Sequence, residues 1–180
     1  NTLTFLRIAL IPAVLVLFFM PGEYGRILAA WVFGLAALTD WFDGYLARRW
    51  NVTSPLGAFL DPVADKLMVA AALLVLVADK PTVWLTIPAL VIIGREITIS
   101  ALREWMAEIG ARNLVAVSWV GKVKTFVQMA AILLMLHGGT PLGIPVYPIG
   151  FWLLYLATAL TLWSMFIYVR AAWPKLMADG

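Results

Sequence analysis

Six stretches of this chain are apolar for most of the thickness of a bilayer, and turn-forming or charged residues separate them. A helix needs about 20 apolar residues to cross about 30 Å of hydrocarbon, and in lipid only helices or closed barrels satisfy every backbone polar group. The first run, Leu3 to Met20, ends at Pro21 and Gly22. It lacks a small-residue cleavage site and carries Arg7 inside its first two turns, so it reads as a resident span and not a secretory leader. The second begins near Ile27, passes Trp31, Phe33 and Leu38, and finishes in a polar end holding Asp40, Asp43, Arg48 and Arg49. After a break at Asn51 to Pro55, the third starts around Leu56, carries Asp61, Asp65 and Lys66 early, and stays apolar from Leu67 to Ala78. Asp79, Lys80 and Pro81 close it. A fourth run, Val83 to about Met106, contains Arg95, Glu96 and Arg103; a fifth, about Leu114 to Leu136, contains Lys122 and Lys124. A glycine- and proline-rich loop from Gly138 to Pro145 precedes the sixth, Val146 to Val169, and then Arg170 and a short tail.

Six spans of this length use nearly all of the 180 residues, so residues 1–180 are expected to form one all-α transmembrane domain with no separate soluble unit. The composition agrees. Hydrophobic residues make up 63% and charged residues 13%, against about 45–50% and about 25% in soluble domains. A net charge of +3 gives no reason to expect a nucleic-acid partner, and the absence of cysteine excludes disulfides, thiolate metal sites and a cysteine nucleophile. The chain begins at Asn1, so a few residues are expected ahead of it.

The positive-inside rule orients the spans. With the N-terminus cytoplasmic, that side receives Arg7, Arg48, Arg49, Arg103, Arg112, Arg170 and Lys175, whereas the opposite side receives only Arg26 and Lys80. An even number of spans returns the C-terminus to the cytoplasm. Trp84, Trp152 and Trp173 read as interfacial belt residues.

Acidic side chains inside membrane segments are costly and call for a reason. Asp40 and Asp43 are three residues apart, and Asp61 and Asp65 four apart, so each pair projects from one face of its own helix. The second helix runs toward the cytoplasm and the third returns, which brings both pairs to one depth. Four carboxylates at one site repel one another unless cations neutralise them. Interfacial salt bridges to Arg48, Arg49 and Lys66 are one solution. Divalent ions are the other: oxygen-only ligands favour Mg²⁺ or Mn²⁺, and two ions match four carboxylates in the manner of a two-metal clamp for phosphoryl chemistry.

The full pattern is Asp40-x2-Asp43-Gly44-x2-Ala47-Arg48-x8-Gly57-x3-Asp61-x3-Asp65, eight fixed residues over 26 positions. It resembles the signature of the CDP-alcohol phosphotransferases, membrane enzymes of six transmembrane helices that make phospholipids. The resemblance implies an active site at the cytoplasmic interface between the second and third helices. There Asp40, Asp43, Asp61 and Asp65 would hold two divalent metals, and Asp65 would be the general base. A carboxylate in reach of the acceptor hydroxyl suits that role, although metal coordination would weaken it as a base. Gly44, Ala47 and Gly57 are small enough for a CDP-linked donor to approach the backbone, or for close helix packing. Arg48 offers a planar fork to pyrophosphate, or anchors the span. Asn1, Thr4 and Arg7 resemble the family's segment leading into the first helix, with Asn1 and Thr4 at the donor site; N-capping by Asn1 or Thr4 is the other reading.

Family members differ in donor and acceptor. An acceptor that carries a phosphate needs cations beyond the metal site, and Arg95, Arg103, Arg112, Lys122 and Lys124 are the candidates. Lys122 and Lys124, two apart on a helix, cannot share a face. Arg95 lies too deep in its span to snorkel, so it requires Glu96, another buried carboxylate or a ligand. Gly94 to Trp105 and Ser118 to Thr125 resemble the bacterial branch of the family that makes phosphatidylglycerophosphate. That resemblance implies CDP-diacylglycerol and sn-glycerol 3-phosphate as substrates, CMP as co-product, membrane lipids as surroundings, a homodimer, and a multi-pass protein of the bacterial inner membrane. Another acceptor (inositol phosphate, serine or an amino alcohol) is the nearest alternative. A cation transporter fits less well, because the carboxylates gather at one end instead of lining a midplane path.

Overall fold

The computed structural model describes residues 2–50, 55–110 and 119–178, with side chains described at all of these except 2–3, 40–50, 55–59, 61, 175–176 and 178. Six α-helices account for nearly all of the described chain: α1 (Thr2–Phe18), α2 (Glu23–Trp50), α3 (Pro55–Asp79), α4 (Val83–Glu108), α5 (Trp119–His137) and α6 (Val146–Ala178). A single 3₁₀ turn, Pro141–Gly143, lies between α5 and α6.

The helices follow the apolar runs, and the punctuation follows the turn chemistry. Pro55 opens α3, where its missing N–H would have had no intrahelical partner. After α5, Gly138 and Gly139 take positive φ values of 59° and 67°, the left-handed geometry with which helices commonly end. Pro12, Pro62 and Pro88 sit within α1, α3 and α4 without ending them, as membrane helices tolerate. Two boundaries differ from the sequence reading. Helix α2 starts at Glu23, ahead of its apolar run, because no residue between Glu23 and Ile27 interrupts a helix more strongly than Gly25. Helix α6 continues through Arg170 to Ala178, where an apolar count stops at the first cation although helical geometry does not. Its 33 residues span about 50 Å, well beyond the hydrocarbon core.

Helices α4, α5 and α6 are long and apolar enough to cross a membrane, and α1 is apolar but shorter. Their outer faces are as apolar as their inner ones. Trp31, Leu90, Phe126 and Trp152 are all more than 60% exposed, while Phe33, Leu73, Ile92, Ile132, Met135 and Leu154 are fully buried in one core. A chain with large apolar side chains on both sides of its helices is built for a solvent other than water.

Packing alternates helix direction. Helix α1 lies against α2 and α3, α5 against α2 and α6, and α4 against α3 and α6. At one end Arg26 near the start of α2 pairs with Asp79 at the end of α3. Lys80 lies over the Tyr147 ring at the start of α6, and the Tyr155 hydroxyl donates to the Trp84 carbonyl near the start of α4. The opposite end therefore gathers the start of α1, the end of α2 and the start of α3. Close approach is built into the scaffold at Gly150 of α6, where a Cβ would meet the Ala131 carbonyl oxygen of α5 at 2.8 Å.

Candidate active site

Helices α2 and α3 are joined by only four residues, 51–54, which fixes the relative level of everything near the junction. Asp43 and Asp40 stand seven and ten residues before the end of α2 at Trp50. Asp61 and Asp65 stand six and ten residues after the start of α3 at Pro55. At 1.5 Å per residue both pairs fall about 9–15 Å along their helices from the connection. Two antiparallel helices thus carry their carboxylates at matching levels. Gly44, Ala47 and Arg48 lie on the same final turns of α2, and Gly57 on the first turn of α3.

The side chains of Asp40, Asp43, Gly44, Ala47, Arg48, Gly57 and Asp61 fall outside the described ones, as do Asn1 and Arg112 altogether. Asp65 is described and is half-buried. Among the described residues no group of three or more metal-ligating side chains occurs, and that set includes one of the four aspartates. Donor chemistry decides the fit. The motif supplies carboxylates only, the sequence has no cysteine, and its single histidine, His137, ends α5 beside the Arg26 end of the bundle. Hard divalent ions with oxygen ligands fit such a set; zinc or copper does not.

Helix α1 adds Thr4 and Arg7. Both are buried, at 4% and 3% exposure, although they lie within two turns of the helix start. Three-residue spacing puts them on one face, and α1 turns that face toward α2 and α3, against which it packs.

Behind the aspartate level lies a polar network contributed by four helices. Lys124 of α5 is only 2% exposed, and its Nζ donates to Glu96 Oε1 of α4 at 2.5 Å. Arg95 donates from one terminal nitrogen to the same Oε1 at 3.0 Å and from the other to Ser164 Oγ of α6, also at 3.0 Å. Lys66 of α3 donates to Ser100 Oγ, whose own proton goes to the Glu96 carbonyl. Arg103 and Arg95 both approach the buried Tyr168 ring, at 5.5 and 5.7 Å from its centroid. A cleft of about 140 Å³ between α3 and α4 has Lys66 and Glu96 in its wall.

Of the five cations expected to meet an acceptor phosphate, the structure brings Arg95 and Lys124 together and places Arg103 one ring away. Lys122 points outward and is exposed, as two-residue spacing from an inward Lys124 requires. Sequence reading named Glu96 only as a partner for Arg95. It missed that Lys124 reaches the same oxygen, and it missed Ser100, Ser164 and Tyr168. Lys66 was the one legible clue, since it follows Asp65 directly.

The CDP-alcohol phosphatidyltransferase profile matches residues 1–163. The chain belongs to the CDP-alcohol phosphatidyltransferase family. Similar members are bacterial and match almost end to end. A Pectobacterium atrosepticum protein is 54% identical over 94% of this chain and 92% of its own length. One from Yersinia pestis is 51% identical over 97% and 94%, and one from Sodalis glossinidius 52% identical over 94% and 92%. All three are named CDP-diacylglycerol--glycerol-3-phosphate 3-phosphatidyltransferase. In this member of the family, the signature occupies the α2–α3 junction and the buried cations stand on the helices around it.

Proposed function

We propose that the protein transfers the phosphatidyl group of CDP-diacylglycerol to sn-glycerol 3-phosphate, releasing CMP and leaving phosphatidylglycerophosphate in the membrane. What supports this reading is the presence of two unlike sets of charges on neighbouring helices. Carboxylates at matched levels on α2 and α3 suit a metal-bound pyrophosphate, and buried Arg95 and Lys124 suit a second anion beside it. An acceptor without a phosphate gives the second set nothing to do. The naming of relatives more than half identical over nearly their whole length supports the same substrates.

In this reading Asp40, Asp43, Asp61 and Asp65 hold two divalent ions, Mg²⁺ or Mn²⁺. Such ions neutralise pyrophosphate and stabilise charge that develops on the transferring phosphorus. Asn1, Thr4 and Arg48 bind the donor, and Gly44, Ala47 and Gly57 let it approach the helices. Asp65 accepts the proton of the acceptor hydroxyl. The acceptor oxygen then bonds to the phosphorus that carries the diacylglycerol, the bond from that phosphorus to CMP breaks, and CMP leaves. Arg95 and Lys124, together with Arg103, Lys122 and Arg112, hold the acceptor phosphate so that its hydroxyl meets the phosphorus in line. All six helices span the inner membrane as one domain, with both termini and the site on the cytoplasmic side, where a lipid and a water-soluble anion can meet. The working unit is a homodimer.

Purified protein given CDP-diacylglycerol, Mg²⁺ and a panel of acceptors tests the reading. Sn-glycerol 3-phosphate should give rapid CMP release that a chelator stops. Faster release with serine, an amino alcohol or inositol phosphate would overturn the choice of acceptor, and no release from folded protein with any acceptor would overturn the chemistry.

A further inference from the structure

A buried lysine and a largely buried arginine share one carboxylate oxygen. Arg95 and Lys124 both donate to Glu96 Oε1, so the group of three retains a net positive charge. One of its donors is also unfilled among the described residues. Arg95 Nε is buried and has no hydrogen-bond partner among the described residues, while Lys124 donates to Glu96 and also lies in the field of Asp65. A buried donor left without a partner calls for an explanation, and a phosphate monoester, with three acceptor oxygens and a charge near −2, supplies one. Lys66 stands within the same network through Ser100 and follows Asp65, so an anion held here would lie beside the end of the aspartate site.

We propose that Glu96 is a positioning residue that occupies the place of the acceptor's phosphate. Between turnovers its carboxylate holds Arg95 and Lys124 aimed at one point, and the incoming phosphate takes those donors over. Acceptor binding is then an exchange of one anion for another. With Glu96 ionised, a dianion overcompensates the two cations; without it, two positive charges meet two negative ones. The carboxylate therefore keeps the cations ordered and solvated by protein at the expense of acceptor affinity, and it favours release of the product phosphate. Ser164 holds the second terminal nitrogen of Arg95 throughout, so the guanidinium keeps its orientation while its partner changes.

This inference rests on the phosphate-bearing acceptor proposed above, and the experiment separates the two. Glu96→Gln keeps the shape of the side chain and removes its charge. The KM for sn-glycerol 3-phosphate should fall about tenfold, the scale of one charge-assisted hydrogen bond, while the KM for CDP-diacylglycerol stays unchanged. Inorganic phosphate, titrated without either substrate while the unfolding temperature is followed in detergent, should stabilise Glu96→Gln at about tenfold lower concentration than the parent. That second readout needs no turnover, so it stands even if another phosphorylated acceptor proves to be the substrate. Glu96→Asp, one methylene too short to reach both cations, should give a smaller shift in the same direction, and it carries the test if the glutamine variant does not fold. An acceptor KM that is unchanged or raised, with phosphate stabilising parent and variants alike, would overturn the proposal and leave Glu96 a structural ion-pair partner.

Discussion

The two ends of the bundle handle charge in opposite ways. At the Arg26 end each cation has its own partner: Arg26 pairs with Asp79 at 2.9 Å and lies over the Phe18 ring, and Lys80 sits 3.6 Å from the centre of the Tyr147 ring. These groups are partly exposed, and their interactions close off the turns between helices. Toward the other end, Lys124 and Arg95 lie more than one and more than three turns inside their helices, share a single carboxylate, and leave a donor without a partner among the described residues. Only the second arrangement is unfinished. Local satisfaction suits an end that holds the helices together, and in the function proposed above the surplus charge under cover serves to bind an anion.

Substitutions at the two ends should therefore differ in kind as well as in size. Asp61→Asn at the aspartate level should lower kcat by at least about a hundredfold, on the scale of losing one preorganised charge contact to a transition state. The unfolding temperature should barely change, since relieving carboxylate repulsion costs the fold nothing. Retained turnover would remove Asp61 from the metal site. Next in size, Lys124→Met keeps the length of the side chain and removes its charge. It should raise the KM for sn-glycerol 3-phosphate about ten- to a hundredfold, the range for a hydrogen bond to a charged group. An equal loss with a serine or amino alcohol acceptor would show that Lys124 serves the fold and not the phosphate.

Much of the helical framework was legible beforehand. The six helices follow the apolar runs and the turn-forming residues between them, and the aspartates stand out because acidic residues are costly inside apolar segments. Arg95 was recognisable as a residue in need of a partner for the same reason. Helix ends were less legible: α6 runs through Arg170 because an isolated cation stops a hydropathy count without disturbing a helix. The convergence of Lys124 and Arg95 on Glu96 was not readable at all. It depends on how α4 and α5 are rotated about their own axes, and that rotation is set by packing among side chains far apart in the chain.

At the closing end some contacts are purely steric, and Gly150, about one turn into α6, tests one of them. A valine there would drive its side chain into the Ala131 carbonyl and the Met135 side chain of α5, so Gly150→Val should cost about 1–3 kcal/mol through overpacking. Thermal unfolding in detergent should show it, with the acceptor KM of the remaining folded protein unchanged.

The smallest effect is expected where the charges are most fully paired. Asp79→Asn breaks the Arg26 bridge, whose two side chains are 27% and 24% exposed. Partly exposed pairs contribute about 0–1 kcal/mol, and Arg26 keeps its contact with the Phe18 ring when the carboxylate is gone. The unfolding temperature should therefore drop by only a few degrees, less than for Gly150→Val, and neither kcat nor either KM should move. The result matters because it isolates placement from charge. Asp79 and Asp61 are the same residue type on the same helix, eighteen positions apart. If neutralising Asp79 also abolished turnover, the two ends would be coupled through α3, and the separation between a closing end and a binding end would fail.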